Sequence, residues 1–367
     1  MAHIYLDYNA TAPIRPEVIE LITKVMSETG NASSVHNFGR GARKYIEDAR
    51  AQVAELVNVK PDQVIFTSGA TEATNTALFP YKNKTALISS TEHSAVSDRL
   101  PNAIRIPVHH DGVINEDKYQ SLLENEKPEI VSICLANSET GVIQDIKRLC
   151  SMAHKAGALF HTEAVQATGR MKVDMQDLGV DLMSLSAHKM AGPQGVGALI
   201  VRKGLETDKF MRGGTQEKNC RAGTHNTAGI AGMGLAAEIA QKELDHYQSH
   251  VGALRDDLET KIKSIAPEII IYGASAPRVC NTSNIGFPGI EAQTQLMALD
   301  IEGIAVSSGS ACSSGTFQPS SVLIAMGVIE KEASCALRVT LGWDSKASDI
   351  DAFIDSWSKI IKRIKKS

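Results

Sequence analysis

The chain has 367 residues, of which 43% are hydrophobic and 22% charged, a composition typical of a globular protein. Its 38 basic and 42 acidic residues give a net charge of −4, so there is no large basic field for nucleic acid or an anionic membrane surface. This length predicts two domains, or one large domain with one small domain.

The N-terminal residues and the spacing of the cysteines bear on the cellular location and on metal or disulfide sites. The first residues, MAHIYLDYNATAP, lack the basic and apolar regions of a secretory signal, and no apolar run approaches the ~20 residues of a membrane span. We therefore expect a cytoplasmic protein. The six cysteines are scattered without a C-x-x-C pair, a spacing that favours neither a metal site nor a disulfide framework.

Strand-like and helix-like segments alternate between residues 63 and 203. The strand-like runs are QVIFTS (63–68), TALISS (85–90), EIVSICLA (129–136), ALFHT (158–162), DLMSLS (181–186) and GVGALIVRK (195–203). This alternation predicts an α/β fold with a mainly parallel sheet. Ligands of such sheets bind at the carboxyl ends of the strands, so functional residues are expected directly after each strand.

The pattern changes near residue 226. Two long helical stretches run to about residue 264, and short strands, a Gly/Ser-rich loop and a final helix follow. We predict a large domain over 15–250. The small domain would combine 1–14, as a strand folded back, with 251–367.

The segment Ser186-Ala187-His188-Lys189 directly follows the apolar strand DLMSL. A lysine at the rim of a sheet loses its charge readily and can form a Schiff base with a carbonyl cofactor. The following glycine-rich segment, 192–197, would let the backbone approach a bound group. The alternative is an ordinary surface lysine in a loop.

Ser68-Gly69-Ala70-Thr71-Glu72 lies between a predicted strand and a predicted helix. Backbone N–H groups at such a helix N-terminus, together with the Thr71 hydroxyl, can form an anion-binding cup. A plain N-cap by Ser68 or Thr71 explains the same residues equally well.

Two further strands are followed by titratable side chains. His93 follows TALISS and could stack on a planar ring and exchange protons, although a lone histidine is more often structural. Glu163 follows ALF and could keep a pyridine nitrogen protonated, as pyridoxal phosphate requires, or could be a capping acid. Gln166 could donate to a phenolate oxygen.

The segment Ser307–Gly315 sets Cys312 among serine, glycine and alanine. A cysteine in such surroundings is unlike a core residue and indicates a loop that delivers a thiol.

Taken together, these segments resemble the cysteine desulfurases of the aminotransferase class V family, which are pyridoxal-phosphate enzymes of fold-type I. The resemblance runs from Tyr5–Thr11 to Leu337–Gly342, and the long S-S-G-S-A-C loop is similar to that of the NifS/IscS-type group. It implies a large domain with a seven-stranded, mainly parallel sheet, a smaller α/β C-terminal domain, and pyridoxal 5′-phosphate as cofactor.

Position by position, the resemblance implies that Lys189 bears the cofactor, that His93 stacks on its ring, and that Arg338 binds the substrate carboxylate. Thr224 would reach the phosphate of a neighbouring subunit, which implies a homodimer. The remaining cofactor contacts that it implies are Ala70, Thr71, Ser138, Glu163, Gln166, Ser186 and His188, with Ser138 also facing the substrate.

The implied reaction converts L-cysteine to L-alanine and leaves a persulfide on Cys312, for iron–sulfur cluster assembly or other sulfur transfer. The implied partner is a sulfur-acceptor protein such as an iron–sulfur scaffold. The alternatives are a selenocysteine lyase, another class V enzyme, or a weakly active cofactor-binding scaffold subunit.

The chain departs from the family pattern in several places. Glu163 stands where an aspartate is usual, and Ser138 stands where the second of two asparagines is usual. The glycine-rich segment Gly213–Glu217 contains a threonine. Few residues follow the last predicted helix, so we do not expect the C-terminal extension with which housekeeping members of the family dock an iron–sulfur scaffold.

Overall fold

The structure, a computed structural model, describes residues 3–309 and 318–364. Its strands are β1 (Ile4–Tyr5), β2 (Val64–Thr67), β3 (Ala86–Ser89), β4 (Ile104–Ile106), β5 (Ile130–Ser132), β6 (Leu159–Glu163), β7 (Leu182–Ser186), β8 (Gly197–Val201), β9 (Ile270–Ile271), β10 (Thr282–Gly286), β11 (Ile304–Ala305), β12 (Ser307–Ser308) and β13 (Ala336–Thr340).

Helices separate most of these strands, as the alternating pattern predicts. They are α1 (Pro16–Ser27), α2 (Asn37–Leu56), α3 (Ala70–Leu78), α4 (Ser94–Ser97), α5 (Glu116–Glu126), α6 (Ile146–Lys155), α7 (Met175–Leu178), α8 (Thr227–Lys242), α9 (Leu244–Ile265), α10 (Ala292–Ile301), α11 (Ser321–Ala325), α12 (Glu330–Ala333) and α13 (Ala347–Ile364). Among the described residues, every helix is too short or too polar to cross a lipid bilayer.

The large sheet has seven strands in the order β2-β8-β7-β6-β5-β3-β4. Strand β8 runs antiparallel to both of its neighbours, and the remaining pairs are parallel. The predicted α/β fold with a mainly parallel, seven-stranded sheet is therefore confirmed. The run 129–136 forms a shorter strand than expected, although Leu135 N–H still donates to the carbonyl of Glu163 at 2.9 Å.

Most strands of this sheet are buried along their whole length, so buried and exposed residues do not alternate in them. Helices α2 and α8 cover one face, and α3 packs on the other. Helix α8 approaches α2 closely at Gly234, where a Cβ would lie 2.4 Å from the Cα of Ala49. The backbone contact thus depends on glycine at this position.

A second hydrophobic core lies under the antiparallel sheet β12-β13-β10-β9. It joins Leu6 to side chains of α9, α10, β10, β13 and α13, with Trp357 at its centre against Phe287. Strand β1 pairs in parallel with β11, through Ile4 and Ile304. The N-terminal strand therefore packs with the C-terminal part of the chain, while the domain boundaries at residues 15 and 250 stay a prediction.

Candidate active site

Strands β2, β3, β6 and β7 point in the same direction, so the residues that follow them meet at one edge of the large sheet. Strand β8 begins at this edge with Gly197. A Cβ there would lie 2.6 Å from the carbonyl carbon of Gly69 and 2.6 Å from the oxygen of Leu185. Glycine at residue 197 thus lets the turn before α3 lie directly beside the end of β7.

The turn before α3 has no side-chain cap. Its N-cap is Gly69, so the expected alternative of a cap by Ser68 or Thr71 is wrong. The Ser68 N–H instead donates to Glu72 at 2.8 Å, and Glu72 pairs with Arg221 at 2.9 Å. The first turn of α3, with Ala70 and the exposed Thr71, therefore presents N–H groups that suit a phosphate.

Lys189 lies in a 3-10 helix, Ala187–Met190, that directly follows β7. Its half-buried ammonium group donates to the backbone carbonyls of Asn9 and Ala10, the latter at 2.6 Å. The lysine is therefore held at the sheet edge against the N-terminal segment, away from bulk solvent on that side.

Glu163 is the last residue of β6 and accepts a hydrogen bond from the Val165 N–H at 2.8 Å. Burial raises the pKa of Glu163, and the nearby charges of His93, Lys189 and Arg170 oppose that rise. A poorly hydrated carboxylate with cationic neighbours suits a protonated ring nitrogen. The donor set at this edge therefore fits pyridoxal phosphate.

His93 caps the short helix α4, and its Nδ1 accepts from the Ala95 N–H at 3.0 Å. In the neutral form of the imidazole, the proton would therefore be on Nε2. The structural role that the sequence left open is thus present. The role of His93 beside a ring stays a prediction.

The segment that ends in Lys189 also contains Ser186 and His188. Ser186 is buried at the end of β7, and His188 Nδ1 lies 3.2 Å from the Thr11 hydroxyl. Burial, with smaller contributions from Lys189 and Arg170, lowers the pKa of His188 to about 4. His188 is therefore a neutral hydrogen-bonding group near pH 7.

Asn9, which the sequence reasoning did not single out, joins the two halves of the site. Its carbonyl also accepts from Gln166 at 3.1 Å, and its Oδ1 accepts from Arg170 at 2.8 Å and from Asn281 at 3.0 Å. Its Nδ2 donates to the backbone carbonyl of Ser138 at 3.0 Å. The only indication in the sequence was that Asn9 lies within Tyr5–Thr11, a segment that resembles the cysteine desulfurases.

Arg338 on β13 forms the second half of the site. Its Nη2 pairs with Asp7 at 2.8 Å, and its Nη1 donates to the carbonyl of Ser138 at 3.1 Å. The guanidinium is buried, and its Nε has no partner among the described residues. A buried donor of this kind suits a substrate carboxylate. The ion pair with Asp7 was not expected from the sequence.

The remaining predicted residues are placed differently. Thr224 is exposed and lies three residues after Arg221, the partner of Glu72 in α3. In the part of the chain that the structure describes, Ser138 contributes its backbone carbonyl to Arg338 and Asn9. Cys312 lies outside the described residues. Within residues 3–309 and 318–364, no group of three or more His, Cys, Asp or Glu residues could hold a metal ion.

Comparison with known proteins agrees with this geometry. Residues 4–353 match the aminotransferase class-V family. A cysteine desulfurase IscS of Dictyoglomus turgidum is 39% identical over 99% of this chain and 95% of its own, and a cysteine desulfurase of Sinorhizobium fredii is 38% identical over 100% and 98%. The solved structure of a NifS-like protein from Rickettsia africae superposes with a TM-score of 0.93 at 34% identity, covering 98% of this chain and 100% of that chain.

The fold and the site thus define a pyridoxal-phosphate-dependent enzyme, and the chain belongs to the aminotransferase class-V family. Within that family it belongs with the cysteine desulfurases of the NifS/IscS type, which confirms the resemblance seen in the sequence. The selenocysteine lyase and scaffold alternatives are not favoured, because the full-length relatives are named cysteine desulfurases.

Proposed function

We propose that this site takes the sulfur atom of L-cysteine, releases L-alanine and leaves a persulfide on Cys312. One observation carries the proposal: Lys189 and Arg338 are joined through Asn9 and Ser138 by consecutive hydrogen bonds. A lysine able to hold a carbonyl cofactor and an arginine able to hold a carboxylate therefore lie at opposite ends of one short, rigid connection.

The residues of the sheet edge would hold the cofactor. Lys189 would be its covalent attachment, Glu163 the partner of its ring nitrogen, and His93 the side chain on its ring. Contacts to the phosphate and the phenolic oxygen fall to Ala70, Thr71, Gln166, Ser186 and His188. Pyridoxal phosphate, when bound, supplies an electron-accepting ring that stabilises negative charge at the substrate α-carbon.

The substrate is oriented by Arg338, whose unpartnered Nε and planar guanidinium match a carboxylate. Lys189 then takes the proton from the α-carbon. The Cys312 thiolate attacks the substrate sulfur, so that an S–S bond forms and the C–S bond breaks with its electron pair left on carbon. That carbon takes up a proton, with His93 as the proton carrier, Lys189 returns a proton to the α-carbon, and alanine leaves.

We further infer a homodimer in which Thr224 reaches the phosphate of the neighbouring subunit. Three apolar side chains near the start of α2 and the end of α1 are strongly exposed: Met26 (74%), Val35 (85%) and Phe38 (66%). Exposed apolar side chains grouped in this way are typical of a contact surface. Thr224 itself is exposed, as contact with a second subunit requires.

The persulfide would pass to a sulfur-acceptor protein, such as an iron–sulfur scaffold, for cluster assembly or another sulfur-transfer reaction. Persulfide chemistry requires reduced thiols, and the five cysteines that the structure describes are free. These two points support a cytoplasmic location.

The test is mass spectrometry of the purified protein after addition of L-cysteine, which should find one extra sulfur atom on Cys312. Cys312→Ser should keep the yellow absorbance of the bound cofactor and lose both the persulfide and alanine formation. Cys280→Ser, at a half-buried cysteine, is the matched control and should behave as wild type. Alanine release by Cys312→Ser, or borohydride labelling of a lysine other than Lys189, would contradict the proposal.

A further inference from the structure

Glu139 lies in the loop after β5, yet its carboxylate contacts residues next to β12 and α11 in the C-terminal part of the chain. Its two neighbours there are Gly309, which follows β12, and Ser320, which precedes α11. These two residues flank the segment 310–317, to which Cys312 belongs. A single buried carboxylate therefore touches the chain on both sides of the cysteine-bearing segment.

The contact with Ser320 is a hydrogen bond between buried groups. The Ser320 hydroxyl donates to Glu139 Oε2 and also accepts from the Leu323 N–H at 3.0 Å, which makes Ser320 the N-cap of α11. The residues are 8% and 3% exposed, respectively. The start of α11 is thus oriented by a side chain from the loop after β5.

The contact with Gly309 is a close approach. A Cβ at residue 309 would lie 2.1 Å from Glu139 Oε2 and 3.0 Å from its Cδ. Real Cβ atoms do not approach carboxylate oxygens so closely. The carboxylate of Glu139 therefore occupies the space that a side chain at residue 309 would need.

Glu139 is itself held firmly, and by the same turn that meets Arg338. Its N–H donates to Asn137 Oδ1 at 2.9 Å, and its carbonyl accepts from Asn284 on β10 at 3.3 Å. The preceding carbonyl, of Ser138, accepts from Arg338. The turn 137–139 thus fixes both the guanidinium that binds substrate and the carboxylate that touches residues 309 and 320.

We propose that Glu139 is a positioning residue for the sulfur-transfer step: it fixes the two ends of the cysteine-bearing segment relative to Arg338. When both ends are fixed, less conformational entropy is lost as a thiol on that segment meets a substrate held by Arg338. The effective concentration of the thiol at the substrate is therefore higher. The inference rests on the proposed function, because it assigns Glu139 to the transfer of sulfur to Cys312.

The experiment separates substrate binding from sulfur transfer in the cofactor-loaded enzyme. In a single turnover with L-cysteine, the absorbance change on mixing reports substrate binding, and quenched mass spectrometry follows the extra sulfur on Cys312. Glu139→Ala should slow the appearance of that sulfur about 10-fold, while the concentration of cysteine that half-saturates the absorbance change stays within about twofold. Glu129→Ala, an exposed carboxylate paired with Lys84, is the control and should change neither.

A double-mutant cycle tests the contact itself. Gly309→Ala alone should slow the transfer and lower the unfolding free energy of the cofactor-free protein, because its Cβ meets the carboxylate. In the Glu139→Ala background, adding Gly309→Ala should change the rate of sulfur transfer and the unfolding free energy very little, because the obstructing oxygen is gone. Ser320→Ala, which removes one hydrogen bond, should slow the transfer less than Glu139→Ala does.

Three results would overturn the inference. The first is sulfur transfer at the wild-type rate in Glu139→Ala; if that variant fails to fold, unchanged transfer in both Gly309→Ala and Ser320→Ala has the same meaning. The second is an equal loss of substrate binding and transfer, which would mark Glu139 as part of the substrate pocket. The third is a wild-type enzyme that acquires no sulfur on Cys312, which would remove the proposed function together with this inference.

Discussion

The two sides of the proposed active site, one to hold the cofactor and the other to hold the substrate, are built in different ways. The cofactor side, comprising Gly69, His93, Glu163 and Lys189, comes from four strand ends of one sheet. The substrate side, comprising Asp7, the turn 137–139 and Arg338, joins the N-terminal segment, a loop of the large sheet and a strand of the small sheet. The first depends on the register of a single sheet, and the second on how two cores pack together.

This difference has a functional consequence. Residues at the ends of parallel strands keep their relative positions as long as the sheet is intact. The substrate side instead depends on hydrogen bonds between remote segments, such as the pair Arg338–Asp7, which are 331 residues apart. We therefore expect that changes on the substrate side alter turnover without releasing the cofactor.

Among the changes that compare the two sides, Arg338→Ala should have the largest effect on activity. It removes charge-assisted hydrogen bonds to the substrate carboxylate, each worth about 1.5–3 kcal/mol, so kcat/KM for L-cysteine should fall roughly 100-fold. The absorbance of the bound cofactor should stay unchanged. Steady-state alanine formation and a visible spectrum measure the two quantities.

Arg338→Lys is the matched control, because it keeps the positive charge but loses the planar guanidinium. Its kcat/KM for L-cysteine should lie between those of wild type and Arg338→Ala. Loss of cofactor from Arg338→Ala with an unchanged KM would break the separation between the two sides.

The second prediction concerns Glu217, in the segment that leads to Thr224. Its buried carboxylate accepts from Arg50 at 2.7 and 2.8 Å, from the Phe66 N–H at 2.8 Å and from His225 at 2.9 Å. Although burial opposes the shift, the bonds from Arg50 and His225 lower the pKa of Glu217 from its usual 4.5 to about 2. The ionised form is therefore favoured by folding.

Because the folded-state pKa lies below the unfolded one, this stabilisation is complete above pH 4.5 and is lost as the pH falls to about 2. Its size is on the order of 3 kcal/mol. Urea unfolding of Glu217→Gln should show reduced stability at pH 7 and a weaker decline toward acid than wild type. Glu47→Gln should cost about 1 kcal/mol or less, because the side chain of Glu47, another partner of Arg50, is 55% exposed.

The smallest expected effect belongs to Glu163→Asp, which restores the shorter acid usual in this family. Because aspartate keeps a carboxylate charge facing the ring nitrogen, kcat should change by less than about threefold. Glu163→Gln, which removes the charge at nearly constant shape, should lower kcat by about 10-fold or more. Equal kcat values for Glu163→Gln and Glu163→Asp would show that the reaction does not need a negative charge at residue 163.

Several features followed from the sequence without the structure. Lys189 and Glu163 were found because each follows a predicted strand of an α/β sheet, where ligands bind. The seven-stranded sheet followed from the resemblance, and the N-terminal strand was predicted to fold back onto the C-terminal part of the chain. The reactive role of Cys312 was predicted from the serine, glycine and alanine residues next to it in the sequence.

Other features depended on the folded chain. Local pattern did not reveal Asn9, Asp7 or Glu139, whose partners Lys189, Arg338 and Ser320 are 180, 331 and 181 residues away. An N-cap by Ser68 or Thr71 was equally compatible with the sequence until the turn at Gly69 was seen.

The physical reason is the range of the interactions. Apolar periodicity and strand ends are set by neighbours along the chain, so they can be read residue by residue. Hydrogen bonds between buried side chains of distant segments exist only after both hydrophobic cores have formed and packed together. That packing, and not any local signal, brings Arg338, Lys189 and Glu139 into a single site.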